Sequence, residues 1–149
     1  MQARNRYREM TIRGRCVMRY ANSLNEVKLP EKHLKFLRVF LNGLSKLESV
    51  ERVILFGSCA RESAHNKSDI DLMIIGDNIT DNDENTIYFE CMPDVFSGYY
   101  VETDILLSTN DRYDQLKYEP GYVQRQIERF GVDLTKCLHD MRDGQFERV

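Results

Sequence analysis

The stretch "VILFGSCARESAHNKSDIDLMII", residues 53–75, is the part of the chain on which the fold turns. A short β-branched, apolar run over 50–56 reads as a strand. Gly57 ends it. Ser58 to Ser63 then turns into a short helix whose first turn is Ser58-Cys59-Ala60-Arg61, and "HNKS", residues 65–68, is a polar turn. A second apolar strand, residues 69–75, opens with Asp-Ile-Asp. Residues two apart in a strand share a face, so Asp69 and Asp71 point one way while Ile70 and Leu72 point into the core. Two carboxylates side by side raise each other's pKa unless a cation lies between them. Burying them is costly without such compensation. Magnesium, which prefers oxygen ligands, resolves the conflict.

Working outward, "YYVETDILLS", residues 99–108, reads as a third strand, with Glu102 and Asp104 alternating against Val101, Ile105 and Leu107. If this strand lies beside the Asp-Ile-Asp strand, Asp104 faces the same ion or a second one. Three convergent carboxylates suit phosphoryl or nucleotidyl transfer on two metals. Gly57 and Ser58 supply the other half. A glycine at a strand end lets the backbone approach a phosphate, and the following N–H groups favour an anion. Ser58 adds a hydroxyl donor, and Arg61 a guanidinium one turn later. Each piece alone is ordinary: Gly-Ser is common, Asp-x-Asp is as often a strand end or turn, and an arginine such as Arg61 is often plain surface. The weight lies in their order, with ten residues between Ser58 and Asp69 and a further aspartate in the next strand.

The remaining chain is that of one domain of 149 residues, 42% hydrophobic and 30% charged. The formal charge of −3 does not argue for nucleic-acid binding by the chain as a whole, and a chain this small offers no obvious second domain to cradle a large nucleic acid, so nucleic acid is not expected as the direct substrate. "PEKHLKFLRVFLNGLSKL", residues 30–47, has the apolar spacing of an amphipathic helix, weakened slightly by Gly43. Residues 77–85, "DNITDNDEN", read as a solvated acidic loop; they lack the glycine and closing glutamate of a calcium loop. Residues 87–95 are ambiguous, part helical and limited by Pro93. "NDRYDQLK" and "GYVQRQIERFG" read as two helices, the second closed by Gly131. The expected organisation is a basic arm over 1–29, disordered or helical, a catalytic domain over 30–139, and a charged, frayed tail over 140–149. Arg4, Arg6, Arg8, Arg13, Arg15 and Arg19 make the arm basic, either as a solvated segment or as one that touches a partner or RNA. The start has no apolar core of a secretory signal, and Glu9 speaks against a transit peptide. No run is long enough to span a membrane. Cys16, Cys59, Cys91 and Cys137 form no C-x-x-C pair and lie apart from His33, His65 and His139. Free thiols in a reducing cytoplasm, without zinc, are therefore expected.

"FGSCARESAHNKSDIDLMII", residues 56–75, resembles the signature of the DNA polymerase beta-type nucleotidyltransferase superfamily, and within it the minimal nucleotidyltransferase branch. The resemblance runs from about Glu31 to Leu134 and includes "EPGYVQRQIERFGVDL". It implies an α/β (α+β) fold, a mixed β-sheet flanked by helices, with ATP or another NTP as donor and Mg2+, two ions, as cofactor. Carried over by position, Gly57 and Ser58 bind the triphosphate with Arg61 nearby, Asp69 and Asp71 bind the metals, and Asp104 completes the site and assists the acceptor hydroxyl. One departure is Glu62, where members often carry glycine after Ala-Arg; it is expected to point to solvent. Many members of this branch are antitoxins encoded beside a HEPN ribonuclease. The resemblance therefore implies AMPylation, the transfer of AMP from ATP onto a tyrosine hydroxyl of a cognate HEPN toxin. Two alternatives stay open: transfer to a small hydroxylated acceptor such as an antibiotic, and a non-enzymatic antitoxin acting by binding alone. The acceptor, the preferred NTP and the oligomeric state are open.

Overall fold

The structure is a computed structural model that describes residues 10–12 and 15–144, with side chains from Val17 onward. In chain order the elements are β1 (Met10–Ile12), β2 (Arg15–Val17), β3 (Arg19–Tyr20), α1 (Glu31–Leu44), β4 (Arg52–Phe56), β5 (Ile70–Ile75), α2 (Asp81–Thr86), β6 (Thr103–Ser108), α3 (Asn110–Leu116), α4 (Val123–Phe130), β7 (Val132–Asp133) and α5 (Thr135–Arg142). β1 and β2 form a separate antiparallel pair, and the main sheet has the order β3-β7-β4-β5-β6. β4 runs antiparallel to β5 and β7, while β5 with β6 and β3 with β7 are parallel. This is the mixed sheet flanked by helices that the sequence leads one to expect.

Alternation along the strands divides the core between the two faces of the sheet. On one face Val53, Leu55, Ile70, Leu72 and Ile74 pack against Phe36, Leu37, Phe40 and Leu41 of α1 and Leu138 of α5. Ile70 and Leu72 are fully buried there, as their spacing predicts. On the other face Ile54, Met73 and Ile75 pack with Met18, with Tyr113 of α3 and with Ile127 of α4. α1 buries the stripe expected of it, and Gly43 has a packing reason: a Cβ there would lie 3.0 Å from the Cys91 backbone.

Three segments differ from the sequence reading. The described part of the expected arm holds strands β1 to β3 and then a single 3-10 turn, Leu24–Glu26. Its last arginine donates its N–H to the Gly131 carbonyl (3.0 Å) and Ala21 N–H reaches the Asp133 carbonyl (3.0 Å), which attaches β3 to β7. Arg4, Arg6, Arg8 and Arg13 lie outside the described residues. The acidic loop holds a helix, because Thr80 forms a capping box: its hydroxyl accepts from Asp83 N (3.1 Å), and its own N–H donates to Asp83 Oδ2 (3.2 Å). The tail is helical through Arg142, whose guanidinium donates to the carbonyls of Ser45 (3.0 Å), Leu47 (2.6 Å) and Val50 (2.5 Å). Those carbonyls lie in the turn just beyond the end of α1, so the guanidinium ties α5 to that turn. No described helix is long and apolar enough to cross a membrane. Cys59 and Cys91 are free thiols, and they and Cys137 are buried.

Candidate active site

Strand register builds the centre of the site. Asp71 lies opposite Asp104 across the parallel β5–β6 ladder and opposite Phe56 across the antiparallel β4–β5 ladder. Paired residues share a face, so both aspartates belong to the side of the sheet that α3 and α4 cover. Those helices cover Ile54, Met73 and Ile75 and leave Asp71 half-buried and Asp104 exposed. Gly57 follows Phe56 directly, so the end of β4 delivers the glycine loop to the carboxylate of Asp71. Gly57 has φ +70°, and a Cβ built on it would collide with Asp71 Oδ2. The glycine is therefore required twice: for a left-handed backbone and for room beside the carboxylate.

The electrostatics of this corner are unbalanced. Burial pushes the Asp71 carboxyl up to about 6, aided by the charges of Asp104 and Asp69 and by a hydrogen bond with Asp104. Among the described residues no lysine, arginine or histidine forms an ion pair with Asp71. Excess negative charge around the half-buried Asp71 is the environment a divalent cation relieves, and the all-oxygen donor set suits magnesium. Asp69 differs from the expected convergent trio. It precedes Ile70, the first residue in the β5–β6 ladder, and stands exposed, near enough for its charge to act on Asp71. Among the described residues no three acidic, histidine or cysteine side chains are gathered into a cage. Magnesium is commonly held by one or two carboxylates together with substrate phosphates, so the Asp71–Asp104 pair with Asp69 beside it fits the ion.

Of the short helix expected over Ser58 to Ser63, a single 3-10 turn forms, Gly57–Cys59. Ala60 N–H returns to the Gly57 carbonyl (3.1 Å), and Arg61 N–H to that of Ser58 (3.2 Å). Cys59 Sγ donates to the Asp69 carbonyl (3.2 Å), tying the loop to the start of the carboxylate strand. Burial pushes this thiol up to about 11, with the charges of Asp71 and Asp69 adding to it, so it stays a neutral donor. Arg61 is turned to α4, its guanidinium 4.1 Å from the Phe130 ring centroid and 3.4 Å from Gln126 Oε1. It is not drawn to the aspartates. Glu62 does not simply face solvent: its carboxylate lies 3.8 Å from Arg19.

Two supports escaped the sequence reading. His33 of α1 is fully buried, and its Nε2–H donates to the Ser68 carbonyl (2.7 Å), directly before Asp69. Lys32 holds the same turn through the Asn66 carbonyl (3.0 Å). Burial lowers the His33 pKa, and its Nδ1 has no partner, so the ring stays neutral. The signal was available, because His33 stands three and four positions before the apolar residues Phe36 and Leu37 on one helix face. The second support is Arg19, 5% exposed, whose Nη2 donates to the Ala60 carbonyl. Nothing in its local sequence separates it from the arginines before it.

The family model described as "Polymerase beta, Nucleotidyltransferase" matches residues 41–131, more than half of the chain. That span contains Gly57, Ser58, Asp69, Asp71 and Asp104. A candidate nucleotidyltransferase from Sulfolobus solfataricus, known from its crystal structure, is 20% identical, with 58% of this chain and 78% of that one covered at a TM-score of 0.41, a likeness too slight to build on. No curated protein matches.

Proposed function

The chain belongs to the polymerase beta-type nucleotidyltransferase family, and from that premise we propose that it is a magnesium-dependent nucleotidyltransferase that moves AMP from ATP onto a tyrosine hydroxyl of a cognate HEPN ribonuclease toxin. The observation that carries the catalytic part is the direct pairing of Asp71 with Asp104, beside a glycine turn that ends against the Asp71 carboxylate. The backbone and hydroxyl of Gly57 and Ser58 hold the triphosphate. Asp69 and Asp71 would hold the metal ions. Bound there, magnesium neutralises phosphate charge and lowers the pKa of a nearby hydroxyl. Asp104, exposed at the sheet edge, faces the acceptor and takes its proton. The acceptor oxygen bonds to the α-phosphorus, the bond to the bridging oxygen breaks, and pyrophosphate leaves. The domain spanning 30–139, with β3 added to its sheet, is the catalytic unit, and a cytoplasmic setting suits its free thiols.

The test uses labelled ATP and magnesium with the purified protein, with and without the product of the neighbouring gene. Label on a tyrosine of a HEPN partner supports the reading. Label on a small hydroxylated compound instead moves the acceptor to the antibiotic class. Toxin inhibition with no transfer of label leaves an antitoxin that acts by binding.

A further inference from the structure

We propose that Arg19 is a positioning residue for the phosphate loop, and that it works as a coupled pair with Glu62. The proposal rests on the reading of Gly57–Ser58 as the triphosphate cradle. It concerns a residue outside the span that the family model matches.

Arg19 begins in a rigid place. Its backbone is fixed in β3, paired with Val132 and bonded to Gly131. From there the side chain reaches a loop 41 residues away in sequence and donates to the Ala60 carbonyl. Within the loop the Gly57 and Ser58 carbonyls already accept from Ala60, Arg61 and Ser63. The bond from Arg19 fixes a further carbonyl two residues on, at the point where the loop leaves its turn. Ala60 is 1% exposed and Arg19 is 5% exposed, so this contact is shielded from water and a lost bond there is not replaced by solvent.

Glu62 supplies the second observation. Its φ is +60°, the one non-glycine with a left-handed backbone among the described residues. A side chain is unfavourable in that conformation, which persists only where the surroundings hold it. The Arg19 guanidinium, 3.8 Å from the Glu62 carboxylate, is such a hold. The pair also removes an electrostatic fault. A free carboxylate beside a loop that must take a triphosphate repels its ligand, and Arg19 neutralises it. The guanidinium thus fixes the loop's shape through Ala60 and its charge through Glu62.

The test compares wild type, Arg19→Gln, Arg19→Lys, Glu62→Gly and the double variant Arg19→Gln/Glu62→Gly. The readouts are titration calorimetry with magnesium and a non-hydrolysable ATP analogue, the KM and kcat of transfer, and hydrogen exchange over residues 57–63. Arg19→Gln should weaken analogue binding about tenfold or more, in line with a lost hydrogen bond to a charged group. It should raise KM for the nucleotide while kcat stays within a few-fold. Exchange should accelerate at 57–63 and not in α1. Arg19→Lys should fall between the two, since one ammonium cannot bridge both partners. The double variant should recover most of the affinity and protection, because glycine tolerates the left-handed turn and carries no charge. Wild-type affinity with wild-type exchange in Arg19→Gln overturns the proposal, as does a double variant no better than the single one. If Arg19→Gln fails to fold, Arg19→Lys decides: unchanged affinity and exchange overturn it. If the wild type binds no nucleotide, the phosphate reading of the loop fails; exchange at 57–63 and its rescue by Glu62→Gly still decide the role of Arg19.

Discussion

Two carboxylates flank β4 on the same face of the sheet, and they live in opposite conditions. Asp133, opposite Ile54, is 5% exposed yet fully engaged: Oδ1 accepts the Thr135 N–H (2.8 Å) and Oδ2 lies 3.4 Å from the Arg52 guanidinium. Asp71, opposite Phe56, is less buried but faces Asp104 and Asp69, and its carboxyl is pushed up to about 6. The first is a structural acid, closing the β7–α5 turn with a cation beside it. The second holds negative charge that the described protein leaves uncompensated. Depth of burial does not tell the two apart; the balance of charge does.

Exchanging one oxygen for nitrogen at each position probes that contrast, and the largest effect is expected at Asp71. Asp71→Asn should abolish nucleotidyl transfer while the metal-free protein melts no lower than wild type, because repulsion is removed along with the charge. Transfer rates and melting curves check this together; a variant that keeps activity would place Asp71 with Asp133. Gly57→Val comes next. Its side chain meets the Asp71 carboxylate and demands a left-handed backbone, a conformational cost of about 1–3 kcal/mol. Calorimetry should find nucleotide binding lost, with a lower melting temperature. Asp104→Asn should bind MgATP within a few-fold of wild type and lose transfer by about 10²–10⁴, the usual worth of general acid–base help. Unchanged transfer would pass its role to another acid, with Glu102 the first to examine. Asp133→Asn should reverse the pattern: stability falls by about 1–3 kcal/mol through the weakened buried acceptor, while KM and kcat hold.

The contrast also marks how far the sequence could be read. The Asp-Ile-Asp alternation, the glycine before Ser58 and Asp104 in a later apolar strand follow from local periodicity, and the strand register then joins them. Asp133 was invisible because β7 is a two-residue strand, too short to show a period. The helix after Thr80 was hidden by its acidic residues, although the Thr80–Asp83 spacing is a cap signal. Arg61, read as a phosphate ligand by its distance from Ser58, is held by Phe130, a partner that only the packing of α4 supplies. Glu62 and Arg19 are far apart in sequence, and neither residue type announces the other.

The smallest effect expected is a pH dependence that reports on Asp71 in the metal-free protein. A carboxyl whose folded pKa is raised contributes stability that is fully present below its unfolded pKa and is lost as pH rises through the folded value. For Asp71 the window runs from the ordinary 3.8 to about 6. His33 acts in the other direction. Its folded pKa is lowered from 6.5, so the unfolded chain binds more protons just below that pH and stability falls on acidification. The raw melting curve mixes the two, and their opposition can flatten it. Subtracting wild type from Asp71→Asn at each pH cancels the His33 contribution to the extent that the two sites are independent. The difference should favour the variant by a few degrees above pH 6 and shrink steadily toward pH 4. Saturating magnesium should stabilise wild type and leave Asp71→Asn nearly unmoved, closing the same gap from the other side. A difference that stays level from pH 4 to 7 without metal would mean that Asp71 is as well compensated as Asp133, and that the acidic corner is not primed for a cation.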